Sequence, residues 1–370
     1  MAYAEAPEGT TAAALFTRNR VVAAPVVVGR GHLQRTAGRL RAVVVNSGNA
    51  NCANGKDGMR GCQQVCQEMA KLLHVRAQEV IPSSTGIIGV PFPTEKVLAG
   101  LPALLADRGD DEAAVERFAE AIMTTDTQPK IASALCGAGK HAGCVLGVAK
   151  GSGMIAPNLA TMLVYLFTDV QGDSRGLKKA LTAACDRSFN CLSVDHDTST
   201  NDTVLLLSSG QSGVRLRAAQ KQFTDALTMV CRSLAEQIVS DGEGVRHVAR
   251  LHIEGARHRS EAMVVAKSIA SSMLVKTALT GCDPNWGRIL AAVGYSGIAI
   301  DPQKVNIYIG PQQVCRKGDV CRYDAAAAHQ YLAQPSYDIR VQLGRGRAGI
   351  EFLTTDLTEE YVRINAEYST

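Results

Sequence analysis

Aromatic residues are scarce in this chain, at 5% of 370, with seven Phe and one Trp among them. The basic residues are scattered, and the formal net charge is only +4. The basic patch interleaved with stacking rings that marks a nucleic-acid binder is therefore missing, and nucleic acid is not an expected partner. Long apolar runs are lacking too, none approaching the length of a membrane span. Met1 is followed by Ala-Tyr-Ala-Glu-Ala-Pro-Glu rather than by the basic and apolar regions of a signal peptide. No membrane is expected, and the cytoplasm is the expected location. The eleven cysteines are odd in number, irregularly spaced and without a C-x-x-C pair, which argues against a disulfide framework or a structural zinc. Cys62 and Cys66 would share one helix face, and reduced, mostly buried thiols are the expectation. Internal repeats, low-complexity tracts and Pro/Ser-rich linkers are also absent, so flexibly tethered domains are not predicted.

What is present suits a globular chain larger than one typical domain, with 46% apolar and 20% charged residues. Short apolar runs such as 42–45 and 145–149 read as buried strands. Apolar spacings of three and four predict helices over 56–75, 112–124, 175–186 and 219–239. Strands alternating with helices predict a layered α/β fold. After residue 290 the pattern turns strand-rich, with 295–300, 304–309, 337–343 and 349–353 as candidates, which predicts a smaller β-rich C-terminal module.

The chemistry concentrates at residues 150–170, where a glycine-rich polar loop runs into an apolar strand, with the junction at Ala160-Thr161. A threonine opening a buried strand acquires an unusual capacity if the preceding peptide bond is cut. Its new α-amine, with an ordinary pKa of about 7.7–8.0, serves as base for its own hydroxyl. Cutting would proceed by attack of the Thr161 hydroxyl on the Ala160 carbonyl, an N-to-O acyl shift and hydrolysis of the ester. Pattern alone favours the plainer reading of such a threonine, a good β-former with a satisfied hydroxyl.

The wording of the stretch goes further. Lys150-Gly-Ser-Gly-Met-Ile-Ala-Pro-Asn-Leu-Ala-Thr-Met-Leu163 resembles the autocleavage motif of the ornithine acetyltransferase family, the glutamate N-acetyltransferases of arginine biosynthesis. Further blocks support the resemblance in order along nearly the whole chain: Asn46-Ser-Gly-Asn-Ala-Asn51, Ser83-Ser-Thr-Gly-Ile-Ile-Gly89, Thr124-Thr-Asp-Thr-Gln-Pro-Lys130, Asp197-Thr-Ser-Thr-Asn-Asp-Thr203, Ser240-Asp-Gly-Glu-Gly244, Gly281-Cys-Asp-Pro-Asn-Trp-Gly-Arg288 and Asn365-Ala-Glu-Tyr-Ser-Thr370. The resemblance implies a self-cleaving architecture like that of N-terminal-nucleophile enzymes. Its products would be an α chain, 1–160, and a β chain, 161–370, associated as α2β2.

By the same resemblance, acetyl would pass from N-acetylornithine to Thr161 and on to glutamate by a ping-pong mechanism, with acetyl-CoA as a second donor in some members and no cofactor or metal. Thr85 and Gly86 would form the oxyanion hole. Thr127, Lys150, Thr161, Glu243, Asn365 and Thr370 would line the substrate site, with Lys150 suited to a carboxylate and Glu243 to the ornithine amine. Two rivals stay open: a related amidase or aminopeptidase that hydrolyses its acyl-enzyme, and an uncleaved small-molecule binder.

The chain departs from the family in a shorter leading segment and in Val245-Arg246-His247, where the family usually has Ala-Thr-Lys; Arg replaces Lys in charge but not in shape. Three other patterns invite readings that their context opposes. Gly344-Arg-Gly-Arg-Ala-Gly349 fits G-x-G-x-x-G but lies between two predicted strands, so a hairpin turn is expected. Asp195-His196-Asp197 with Asp202 offers metal-ligand chemistry but reads better as an acidic loop. Lys150-Gly-Ser-Gly lacks the spacing of a phosphate loop and precedes no helix.

Overall fold

The computed structural model describes residues 1–137, 142–156 and 162–367. The chain divides into two compact units, one chiefly of Met1–Asn190 with Asp197–Ile238, the other of Cys191–His196 with Val239–Ser369.

The first unit holds two sheets. The smaller has the order β1-β3-β4, from β1 (Ala2–Glu5), β3 (Ala42–Asn46) and β4 (Val80–Ser84), with β3 and β4 parallel. Helix α2 (Gly55–Leu73) supplies the crossover that a parallel pair requires. The larger has the order β2-β9-β7-β6-β5, from β2 (Thr11–Phe16), β9 (Thr203–Ser208), β7 (Leu163–Thr168), β6 (Gly143–Lys150) and β5 (Lys130–Cys136). Only β7 and β9 run parallel; the other neighbours are antiparallel.

The Val-Val-Val run of β3 is buried on both faces. Val43 and Val45 meet Tyr165, Leu205 and Val148 of the larger sheet. Ala42 and Val44 turn the other way, onto α1 (Ala24–Arg35), α2 and α3 (Thr94–Ala106) through Val28, Met69 and Leu101. On the far side of the larger sheet, α5 (Ser174–Cys185) packs on β2, and α6 (Gln220–Ser240) brings Val230 and Leu234 against the bare Cα of Gly147. Helix α4 (Glu112–Ala121) adds Phe118, edge-on to Tyr165 with ring centroids 5.3 Å apart, to the core between the sheets. The layered α/β reading holds as helix, sheet, sheet, helix.

The second unit is built on one sheet of order β13-β12-β11-β14-β10-β15-β8. Its strands are β8 (Leu192–Ser193), β10 (Val248–Ala256), β11 (Asn306–Ile309), β12 (Gln312–Arg316), β13 (Asp319–Val320), β14 (Ser336–Gln342) and β15 (Ala348–Thr355). Helices α7 (Arg259–Ala270), α8 (Met273–Thr280) and α9 (Trp286–Gly294) pack a shared core against it, including Leu251, Ile253, Val265, Ile269, Ile289, Ile339 and Phe352. Helices α10 (Ala325–Leu332) and α11 (Glu359–Glu367) complete the unit. Among the described residues no single helix is long and apolar enough to cross a membrane, and all eleven cysteines are free.

Two sequence expectations are corrected here. Residues 295–300 are not a strand: Tyr295 caps α9, the chain turns at Gly297 with φ +81°, and Ile298 and Ile300 pack on the core without pairing. Nor is Gly344–Gly349 a hairpin turn, because β14 and β15 lie on opposite sides of β10, the first parallel and the second antiparallel to it. The glycines instead let the connection cross the end of β10, where Arg345 and Gly346 amides donate to the Gly255 carbonyl at 2.7 and 2.8 Å and a Cβ on Gly346 would strike the Ala256 backbone. It still leads into a strand rather than a helix, so the argument against dinucleotide binding stands.

Candidate active site

Strand β4 ends at Ser84, beside the end of β3 at Asn46. The Thr85 amide donates to the Asn46 carbonyl at 3.0 Å, and the Ser84 hydroxyl to Asn46 Oδ1 at 2.5 Å. Asn201 fastens the same corner by donating to the Ala50 and Ser84 carbonyls at 2.6 and 2.9 Å. Gly86 follows with φ +126°, and a Cβ there would collide with the Gly48 and Asn49 backbone. Only glycine lets the chain turn this tightly after Thr85.

Lys150, the last residue of β6, is 3% exposed. Its ammonium donates to Thr124 Oγ1 at 2.8 Å and to Thr85 Oγ1 at 3.3 Å, and lies 3.7 Å from Asp126 Oδ2. Two residues of the expected site, Thr85 and Lys150, are thus in direct contact. Because Lys150 occupies an acceptor position on Thr85 Oγ1, that hydroxyl is polarised as a donor toward any oxyanion beside it. Asp126 in turn accepts from Lys130 Nζ at 2.8 Å, the Gly151 amide at 2.6 Å and the Thr124 amide at 3.1 Å. Burial alone would raise the Asp126 pKa, but the Lys150 and Lys130 charges and these donors hold it below the usual carboxylate value. Thr127 follows on the exposed turn into β5.

Ala160 and Thr161 lie outside the described residues, as does Thr370. Met162 does not. Its amide donates to Asp202 Oδ1 at 3.1 Å, and its carbonyl accepts from the Thr203 amide at 3.1 Å. Asp202 is fully buried. Burial pushes its carboxyl well above the ordinary range, against the Met162 amide, the Ser199 and Thr17 hydroxyls and the Lys150 charge. Asp202 Oδ2 has no partner of hydrogen-bond geometry among the described residues, the Thr17 proton being committed to the Ser199 carbonyl at 2.7 Å.

In the second unit, Asn365 of α11 donates to Glu243 Oε2 at 2.8 Å. The tail helix is tied down: Thr358 Oγ1 donates to the Gly244 carbonyl at 2.6 Å, and Gly244, with φ +66°, passes so close that a Cβ would strike the Tyr361 amide. The departure at Val245-Arg246-His247 is anchored by Asp356, whose Oδ1 accepts the Arg246 and His247 amides at 3.1 and 3.2 Å. His247 Nδ1 lies 2.8 Å from the Gln334 carbonyl oxygen. Among the described residues no group of three or more His, Cys, Asp or Glu is arranged to hold a metal ion.

Asp126, Lys130, Asn201 and Asp202 all sit inside sequence blocks that carry the family resemblance, yet the resemblance gives none of them a site role, and Asp202 enters the sequence reading only as a metal ligand that its acidic-loop context opposes. The signal available was a charged or amide side chain in a block flanked by apolar strands. A cavity of about 800 Å³ in the first unit, lined by Glu5, Arg41, Arg108, Arg117, Phe118 and Phe167 among others, includes none of the expected site residues.

The model of the ArgJ family matches residues 1–370. The arginine biosynthesis bifunctional protein ArgJ of Symbiobacterium thermophilum is 43% identical, over 97% of this chain and 89% of its own. Its namesake from Methylococcus capsulatus is also 43% identical, over 99% and 90%. The crystal structure of the arginine biosynthesis bifunctional protein ArgJ of Bacillus halodurans is 38% identical, covering 55% of this chain and 97% of its own with a TM-score of 0.53. With a match along its whole length and relatives this close over nearly all of it, the chain belongs to the ArgJ family.

Proposed function

We propose that the chain is an acetyltransferase of arginine biosynthesis, a glutamate N-acetyltransferase that cuts itself between Ala160 and Thr161 and carries acetyl on Thr161. The observation that carries this reading is the register of β6 on β7, in which Lys150 pairs with Leu163. The connection between them leaves and returns at the same end of the sheet, so Thr161 is two residues upstream of the partner of Lys150, which itself touches Thr85. The oxyanion donor and the carboxylate-binding cation thus meet at the end of β6, and the described chain resumes at Met162, the residue after the proposed nucleophile. The Bacillus halodurans chain supports the cut: matched over 97% of its length by 55% of 370 residues, it is about 210 residues long, the length of 161–370.

Attack of Thr161 Oγ1 on the Ala160 carbonyl carbon forms an ester as the C–N bond breaks and the hydroxyl proton passes to the nitrogen. Water then releases the Ala160 carboxylate and restores the hydroxyl. The freed amine becomes the base for transfer. N-acetylornithine acylates Thr161, ornithine leaves, and glutamate takes the acetyl group. Thr85 and Gly86 hold the oxyanion, where a single donor is worth about 10²–10³ in kcat. Lys150 takes a substrate carboxylate and Glu243 the ornithine amine, with Thr127, Asn365 and Thr370 completing the lining. The reading needs no cofactor or metal, places the enzyme in the cytoplasm and joins 1–160 with 161–370 as α2β2.

The test is to purify the protein, sequence the N-termini of its fragments and assay acetyl transfer. Pieces of 160 and 210 residues with Thr161 leading the second are expected, with transfer from N-acetylornithine to glutamate and, if acetyl-CoA is a second donor, from it as well. Thr161→Ala should remain one band without activity. An intact wild-type chain favours the uncleaved binder, and release of acetate without an acceptor favours the hydrolase; either sinks the proposal.

A further inference from the structure

We propose that Asp202 is the positioning residue for the nucleophile, holding it through the backbone of Met162; this rests on the reading of Thr161 as nucleophile. Met162 is gripped by two consecutive residues, its amide by the Asp202 carboxyl at 3.1 Å and its carbonyl by the Thr203 amide at 3.1 Å. The parallel ladder of β7 on β9 begins only at the next pair, Leu163 with Thr203. A backbone acceptor for the Met162 amide would have continued the strand by one residue. The Asp202 carbonyl lies on the other side of its strand, where it accepts the Thr17 amide at 3.0 Å, so Asp202 meets Met162 through its side chain. A side chain therefore ends the ladder, and it does so one residue after the expected nucleophile.

The grip reaches that residue through peptide planarity. The N–H of residue 162 lies in one plane with the carbonyl and Cα of residue 161. A carboxyl that fixes the N–H fixes the plane, leaving the side chain of the nucleophile only rotations about its own single bonds. Displacement of a reacting group by about 1 Å costs on the order of 100-fold in rate, so holding this plane matters to catalysis without any contact to substrate. Asp202 is suited to the task because it is fully buried, so water does not compete for the Met162 amide. Its carboxyl is also pushed toward the neutral form, in which one oxygen is a plain acceptor.

Asp202→Asn and Asp202→Leu separate this role from bulk packing, since both fill the space but only Asn can accept from the amide. In Asp202→Leu, self-cleavage and kcat should each fall by about 100-fold with KM for N-acetylornithine and glutamate unchanged, the pattern of a lost transition-state geometry. Asp202→Asn should return both to near the wild-type rates. A folded Asp202→Leu that cleaves and turns over like wild type overturns the inference, as does an Asp202→Asn as slow as Asp202→Leu. Amide hydrogen exchange on the wild-type protein gives a reading independent of how the variants fold. The Met162 amide should be protected like those of β7, and exchange at the rate of an exposed loop would also overturn the inference. Failure of the functional reading looks different, because the wild type itself then stays uncut and the inference falls with it.

Discussion

The first unit buries two aspartates under opposite electrostatic terms. Asp126 lies between two lysines and accepts from two amides, and its pKa is held low. Asp202 accepts from a single amide, has one oxygen without a hydrogen-bond partner among the described residues, and is pushed high. Burial alone gives no reason for the difference, since both side chains are shut off from water. The partners decide it. A carboxyl supplied with cations and N–H donors keeps its charge and serves as a counter-ion, whereas one supplied with a single amide is held near the neutral form and serves as an acceptor.

The strongest way to break this contrast is to remove Asp126. Asp126→Ala leaves the Lys130 and Lys150 ammoniums without their shared carboxylate, and loss of one partner of a buried ion pair costs about 3–5 kcal/mol. Urea denaturation should show a drop of that order, and a loss below about 1 kcal/mol would mean that the pairing contributes no more than a surface ion pair does.

The contrast sharpens when the lysines are compared with each other. Lys130→Met removes a partner of Asp126 that does not touch Thr85 in the contacts described, while Lys150→Met also removes the donor to Thr85 Oγ1. Both variants should be less stable, but kcat/KM should fall by about 100-fold only for Lys150→Met, on the scale of a lost transition-state donor. Equal kinetic losses would erase the distinction between counter-ion and site.

The smallest effect is in the pH dependence of stability, where the signs are opposite. Asp126, with its folded pKa lowered, contributes stability that is present above the unfolded carboxylate pKa and disappears as pH falls through the folded value. Asp202, with its folded pKa raised, contributes stability that is full below the unfolded pKa and is lost as pH rises toward the folded one. Relative to Asp202→Asn, the wild type should therefore lose stability as the pH is raised from about 4, with a slope of at most about 1.4 kcal/mol per pH unit. Denaturation midpoints of both proteins across that range measure it, and a flat or rising difference would show that Asp202 is not held toward neutrality.

Much of the first unit was legible in the sequence because its signals are local. The Val-Val-Val run gave β3, and apolar spacing gave α2 (Gly55–Leu73) and α5 (Ser174–Cys185) within a residue or two at each end. The pattern failed where pairing depends on distant chain. Residues 295–300 are apolar enough for a strand but have no partner, and the loop at Gly344–Gly349 joins strands that β10, almost ninety residues earlier, separates. The site divides in the same way. Thr85, Gly86 and Lys150 were singled out through the family resemblance, but the Lys150–Thr85 contact spans 65 positions and the Asn365–Glu243 contact 122. Asp126 and Asp202 carry no sequence mark of their burial or of the partners that meet them there, and those partners give each its role.

The strand order β2-β9-β7-β6-β5 bears on how such an enzyme would age. After a cut at Ala160-Thr161, β9 and β7 belong to one product and lie between β2 on one side and β6 and β5 on the other, all from the second product. Neither product owns this five-stranded sheet whole, and trading one half for a fresh copy would mean breaking two rows of backbone hydrogen bonds at once. Partners made from one precursor should therefore stay together for the life of the molecule, so that damage to either half is mended only by synthesis of a new chain.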